Sequence, residues 1–91
     1  MQIRKQMRFT GDVQGVGFRF RAYHAAMQLG LTGWVRNEYD GSVTLEAQGD
    51  PAAVEALPRL LEGSLYIRID SVDTRTLPLR GDERTFEIRD E

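Results

Sequence analysis

The stretch Gly11-Asp12-Val13-Gln14-Gly15-Val16-Gly17-Phe18-Arg19 lies between an alternating strand pattern and a helical one. A glycine-punctuated loop in that position can turn successive backbone N–H groups inward around an anion. Glycine permits this because it adopts positive φ and lets the backbone approach a ligand closely. Arg19 would add a planar, permanently charged fork that matches phosphate oxygens. The N–H groups from about Gly15 to Arg19 would line the cradle at the start of the next helix, where unpaired N–H groups and the helix dipole favour negative charge. Taken alone, such a loop fits a plain strand-to-helix turn with a solvated arginine better than an anion site.

A second stretch is Gly33-Trp34-Val35-Arg36-Asn37-Glu38-Tyr39-Asp40-Gly41-Ser42-Val43, followed by Gly49. From the residues alone, Asn37 is a turn former near a hairpin, although its amide can both donate to and accept from water. Together the two stretches closely resemble the acylphosphatase family. That family carries a G-x-V-Q-G-V-x-F-R loop, then G-W-V-x-N-x-x-x-G-x-V with a further glycine downstream, and both patterns stand here in that order. The resemblance covers nearly the whole chain. It implies an acyl phosphate hydrolase, a substrate-binding loop of Gln14, Gly15, Val16, Gly17, Phe18 and Arg19, and catalytic roles for Arg19 and Asn37. The chain departs from the family pattern in three places. Gly63-Ser64 stands where members often have Gly-Pro, Asp90-Glu91 follows Ile88-Arg89 where many end in tyrosine, and Pro58 is unusual.

The chemistry of these groups is restrictive: a fixed positive charge, several N–H donors and one amide, with no evident general acid or nucleophile. A phosphate monoester leaves as an alkoxide, which needs protonation or a metal. An acyl phosphate leaves as a carboxylate whose conjugate acid has a pKa of roughly 4, so it departs unprotonated at neutral pH. Positioning and charge stabilisation then suffice. The expected scheme has the loop and Arg19 holding the phosphoryl oxygens, Asn37 orienting a water in line, and a phosphate oxygen accepting the water proton. It needs no cofactor, metal or covalent phosphoenzyme.

The elements that would position these residues follow from periodicity. Lys5 to Val13 is a strand with Met7, Phe9 and Val13 on one face. Phe18, Ala22, Ala25, Ala26 and Leu29 recur at helical spacing, and Gly30 supplies a stop. Thr32 to Glu38 and Ser42 to Gln48 form strands joined by a Tyr39-Asp40-Gly41 hairpin loop. Asp50 as N-cap and Pro51 at the first position open a second helix with an apolar stripe of Val54, Leu57, Leu60 and Leu61. Pro58 should kink or shorten that helix, and Gly63 ends it. Tyr66 to Thr74 is a fourth strand whose alternation slips between Ile69 and Val72, the mark of a bulge. Thr85 to Arg89 is a short last strand with Phe86 and Ile88 facing in.

The order β-α-β-β-α-β plus a terminal strand is the ferredoxin-like split βαβ pattern, an α+β sandwich with two helices on one face of an antiparallel sheet. In it the first two strands run parallel with the third between them, so the Gln14–Arg19 loop and Asn37 meet at one sheet edge.

Other polar residues carry weaker signals. Arg21 points about 200° round the helix from Arg19 and is expected to be solvated. His24, the only histidine, lies about 140° round and should face away from the loop. Arg36 should lie on the opposite sheet face; Trp34 and Tyr39 could stack on an acyl group, but sheet packing suits Trp34 better and Tyr39, in the hairpin loop, could instead be exposed. Asp12 fits turn chemistry, and Asp70, Asp73, Asp82 and Glu83 look like a solvated surface.

Ninety-one residues make one domain, with 41% hydrophobic and 29% charged residues fitting a soluble globular protein. The formal charge of −2 argues against a nucleic-acid partner bound through bulk charge. An RNA reader of this fold would also show paired aromatics, which the third strand lacks. There is no cysteine, so disulfides and thiolate metal sites are excluded, and one histidine makes a transition-metal site unexpected. No signal peptide or membrane span is expected, and a cytoplasmic monomer acting on a small-molecule acyl phosphate is the default. The rival is a non-catalytic anion-binding or regulatory module on the same fold, since fold alone does not fix function.

Overall fold

In the computed structural model, which describes residues 1–90, the chain runs β1 (Ile3–Asp12), α1 (Phe18–Leu29), β2 (Thr32–Asn37), β3 (Val43–Gly49), α2 (Pro51–Leu61), β4 (Arg68–Leu77) and β5 (Phe86–Arg89). Glu91 lies outside the described residues. The strands form one sheet in the order β4-β1-β3-β2-β5. Alternation along the strands puts Met7, Phe9, Val35, Val43, Leu45 and Ala47 on the face that receives Phe18, Ala22 and Ala26 of α1 and Val54, Leu57 and Leu61 of α2. Each large apolar side chain fully buried there contributes about 1.5–3 kcal/mol.

β1 and β2 both pair antiparallel with β3 and therefore run parallel to each other, ending at the same edge. β4 pairs antiparallel with β1, and β5 joins β2 in parallel, which makes the sheet mixed. The direction of β5 follows from the path of the chain. β4 finishes opposite Arg4 and β5 starts opposite Gly33, both near the N-terminal ends of β1 and β2. The connecting segment crosses the sheet there, and β5 then runs toward the edge where β1 and β2 end.

Several expected boundaries shift for local reasons. β1 begins at Ile3, not Lys5, because Ile3 and Arg4 pair with Gly49 and Gln48. β4 covers Arg68–Leu77, not Tyr66–Thr74, because pairing with β1 continues as far as Arg4 opposite Leu77. The register shifts so that Thr10 faces Ser71 and Gly11 faces Ile69, leaving Asp70 as the extra residue within the expected bulge region. α2 stops at Leu61, before Gly63, with Pro58 in its last turns, and Leu60 points outward at 41% exposure. Asp50 sits at the N-cap position without a capping side-chain bond. Pro51 has no N–H to cap, and the exposed Asp50 leaves the other donors to water. Ile88 is 41% exposed and not a core residue, because β5 is a short edge strand. No helix of the described residues is long and apolar enough to cross a membrane.

The face away from the helices carries a buried charge. Arg4 is only 1% exposed. Its guanidinium donates to Glu46 Oε1 at 2.8 and 3.0 Å, to the two Glu83 oxygens at 2.7 and 3.0 Å, and to Gln48 Oε1 at 3.3 Å. Gln48 in turn exchanges two hydrogen bonds with the backbone of Arg80. Glu83 and Arg80 belong to the crossing segment, so this cluster pins it to the sheet. Glu83 is therefore not a solvated surface acid. Burial would raise its pKa, but Arg4 and the Thr32 hydroxyl outweigh this and hold it below the ordinary 4.5. Burial alone would likewise lower the Arg4 pKa, and the two carboxylates reverse that and raise it.

A carboxylate with a depressed pKa adds stability that is complete above its unfolded-state pKa and is lost as pH falls through the folded-state value. Arg4→Ala would leave Glu46 and Glu83 without their cation, which should cost about 3–5 kcal/mol at pH 7. That deficit should shrink as the pH falls below the ordinary glutamate value of 4.5 and through the depressed folded-state value of Glu83. Urea denaturation at neutral and acidic pH checks both statements, and an equal deficit at the two pH values would refute the linkage. A second constraint sits at Gly33, where φ is 144° and an added Cβ would lie 1.8 Å from the Glu46 carbonyl oxygen. Gly33→Ala is expected to lose at least about 2 kcal/mol in the same measurement.

Candidate active site

The loop after β1 turns on two glycines with positive φ, Gly15 at 73° and Gly17 at 80°. An added Cβ would meet nothing within 4 Å at either, so the backbone angle and not crowding calls for glycine. Val16 between them packs against the core and holds the loop down. Phe18, the first residue of α1, is buried against Phe9 with ring centroids 5.0 Å apart. That anchor sets the rotation of the helix and leaves Arg19 on its outer side.

The N-terminus of α1 is electrostatically uncompensated. Gly17 offers no side-chain cap, and the first turn holds no acidic residue. The first intrahelical bond runs from the Arg21 N–H to the Gly17 carbonyl at 3.0 Å. The N–H groups ahead of it have no intrahelical acceptor and present the positive end of the helix dipole. Asp12, whose charge would oppose an anion, is paired with Arg68 on β4 at 2.7 Å.

Gly15, Gly17, Phe18, Arg19 and Asn37 line one depression of about 270 Å³, together with Val13, Phe20 and Ile88. Residues 18 positions apart in sequence, Arg19 and Asn37, thus share a site because β1 and β2 end at the same edge. Asn37 closes β2, and its Oδ1 is buried with no hydrogen-bond partner among the described residues. A buried acceptor normally has a partner, and leaving one unmet costs on the order of 1–3 kcal/mol. The Asn37 side chain thus lines the depression while its unpaired amide oxygen lies beneath the surface.

Arg19 is held from the other side. Its Nη1 donates to the Arg89 carbonyl at 3.2 Å and to Asp90 Oδ1 at 3.3 Å, both at the end of β5. Gln14 and Val16 do not line the depression. The Gln14 amide instead donates to the Glu38 carbonyl at 2.7 Å and the Ser42 carbonyl at 2.9 Å, tying the loop to the hairpin that follows Asn37. That hairpin is itself stiffened by Asp40. The Ser42 hydroxyl and N–H, with Arg8, hold the Asp40 carboxyl at about 2.

The remaining residues fall elsewhere. His24 does not line the depression; it lies in a neighbouring groove against Phe20 and Tyr23. Arg21, expected to be solvated, donates to the Leu60 and Glu62 carbonyls at the end of α2. Trp34 is buried, with the guanidiniums of Arg36 and Arg89 4.9 and 5.0 Å from its ring centroid. Tyr39 is exposed. Phe20 and Ile88 were not singled out as site residues by sequence reasoning. The usable signal was an aromatic directly after Arg19, off the apolar stripe of α1.

The acylphosphatase family model matches residues 5–88. An acylphosphatase from Caldanaerobacter subterraneus subsp. tengcongensis is 41% identical over 83 residues, covering 90% of this chain and 92% of that protein. One from Bifidobacterium longum is 44% identical over 89 residues, covering 96% and 92%. The crystal structure of acylphosphatase from Bacillus subtilis superposes with a TM-score of 0.89 at 28% identity, covering 98% of this chain and 99% of that one. With the loop, the strand order and the family model all in agreement, the chain belongs to the acylphosphatase family.

Proposed function

We propose that this protein hydrolyses acyl phosphates to a carboxylate and inorganic phosphate without a metal ion. The observation that carries this reading is the convergence of Arg19 and Asn37 on one depression at an uncapped helix N-terminus. The family membership supports the same reaction.

In the proposed reaction the phosphoryl group sits against the Gly15–Arg19 backbone, with Arg19 on its equatorial oxygens. Fixing Nη1 to the end of β5 leaves the other guanidinium nitrogens as donors held in place before substrate arrives. The Asn37 side-chain amide hydrogen-bonds a water and aims the water oxygen at phosphorus. That oxygen forms the new P–O bond, and the bond to the acyl oxygen breaks with its electron pair leaving on the carboxylate. The water proton passes to a phosphate oxygen. The carboxylate needs no acid to leave, which matches a depression whose only charged lining residue among the described residues is Arg19. We assign Gln14 to positioning, since its two carbonyl contacts set the distance between the loop and Asn37.

Benzoyl phosphate hydrolysis in excess EDTA tests the scheme. Wild type should turn over. Arg19→Ala should lose at least about 100- to 1,000-fold in kcat/KM, and Asn37→Ala a similar factor carried mainly by kcat. A fully active Arg19→Ala protein would rule the scheme out. No wild-type turnover, with phosphate still binding at the loop, would assign a non-catalytic anion-binding module instead. Gln14→Ala should lose about tenfold in kcat/KM while both reacting side chains remain, and wild-type kinetics in that variant would remove its positioning role.

A further inference from the structure

Beside the phosphate depression lies a larger groove of about 530 Å³ between α1 and α2. The two are continuous, because Gly17 and Phe20 line both. A substrate held by its phosphoryl group at the loop therefore has its leaving group next to Phe20. We infer that this groove is the acyl subsite, that it takes an aryl group or an unbranched chain of several carbons, and that Phe20 selects for it. The inference rests on the acyl phosphate reading above.

The walls fit such an occupant. Phe20 is 63% exposed, and its ring is steadied by His24, with centroids 4.9 Å apart. Ala25 lines the groove on α1, and the exposed side of Leu60 faces it from α2. The groove is also held at a fixed width. Arg21 Nε donates to the Leu60 carbonyl at 2.9 Å and Nη2 to the Glu62 carbonyl at 3.1 Å, which binds the last turn of α2 to α1. Phe20, Ala25 and Leu60 thus supply the apolar surface, with Arg21, His24 and Gln28 as its polar margin, and mostly apolar walls with a few polar groups are the usual build of a small-molecule subsite. Length matters too. From Phe20 to His24 the helix rises about 6 Å and from Phe20 to Gln28 about 12 Å. An acetyl methyl would end near Phe20, whereas an aryl ring or a six-carbon chain would cover Phe20 and approach Leu60.

The test compares acetyl, hexanoyl and benzoyl phosphate in wild type, Phe20→Ala and Leu60→Ser. Acetyl and hexanoyl phosphate have leaving groups of nearly equal basicity, so their ratio measures contact and not chemistry. Wild type should favour hexanoyl over acetyl phosphate by about tenfold in kcat/KM. Phe20→Ala should lose most of that preference through a rise in KM for the hexanoyl and benzoyl substrates. Leu60→Ser should lose a smaller part, confined to hexanoyl phosphate. Competitive inhibition by inorganic phosphate reports the integrity of the loop in each variant, and urea denaturation reports folding. Equal kcat/KM for hexanoyl and acetyl phosphate in wild type overturns the subsite while leaving acyl phosphate hydrolysis standing. So does an unchanged preference in both variants. No wild-type turnover of any of the three removes the underlying reaction and the subsite with it.

Discussion

One buried guanidinium decides where the last quarter of the chain goes. β4 and β5 occupy opposite edges of the sheet, so the segment between them has to cross β1, β3 and β2. That segment is polar and supplies little apolar surface to hold itself down. Arg4 fastens it through Glu83, and Gln48 fastens it again through the Arg80 backbone. A buried ion pair of this kind contributes little net energy against an apolar replacement, but breaking one side of it is costly. Its contribution is to select one path among several. With the crossing fixed at the N-terminal ends of β1 and β2, β5 must run parallel to β2. Its last residues then arrive at the opposite edge, where they meet Arg19.

The same geometry concentrates positive potential at that edge. Three strands end there, α1 begins there without a cap or an acid, and Asp12 and Asp40 are each drawn to an arginine on the sheet. Arg19 is clamped between its helix and the end of β5, while Gln14 clamps the loop to the hairpin carrying Asn37. The acyl phosphate reaction asks for this kind of site. It needs an oriented water and compensation for charge on the phosphoryl oxygens, and it does not need a strong acid.

Much of this could be read from the residues, and the exceptions have a common cause. Glycine-dependent turns and alternating strands are local, so the split βαβ order, the Asp40-Gly41 hairpin and the bulge between Ile69 and Val72 were all legible. The meeting of the loop and Asn37 was legible because topology alone brings strand ends together. Arg4 and Glu83 were not, since each looks solvated in its own segment and is buried only when residues 79 apart in sequence meet. The tie that Gln14 makes to the hairpin was not legible for a similar reason: its partners are backbone carbonyls, which leave no mark in a sequence. Ile88 follows the alternation of a core strand, yet the short edge strand that carries it leaves it on the rim of the site.

In the reaction proposed for this site, water attacks phosphorus and the carboxylate leaves intact. Hydrolysis of benzoyl phosphate by the wild-type protein in ¹⁸O-labelled water, followed by mass spectrometry of both products, tests it directly. One labelled oxygen is expected in the inorganic phosphate and none in the benzoate. Label in the benzoate would mean attack at the carbonyl carbon, and the roles given to Arg19, Asn37 and the loop would not survive that result.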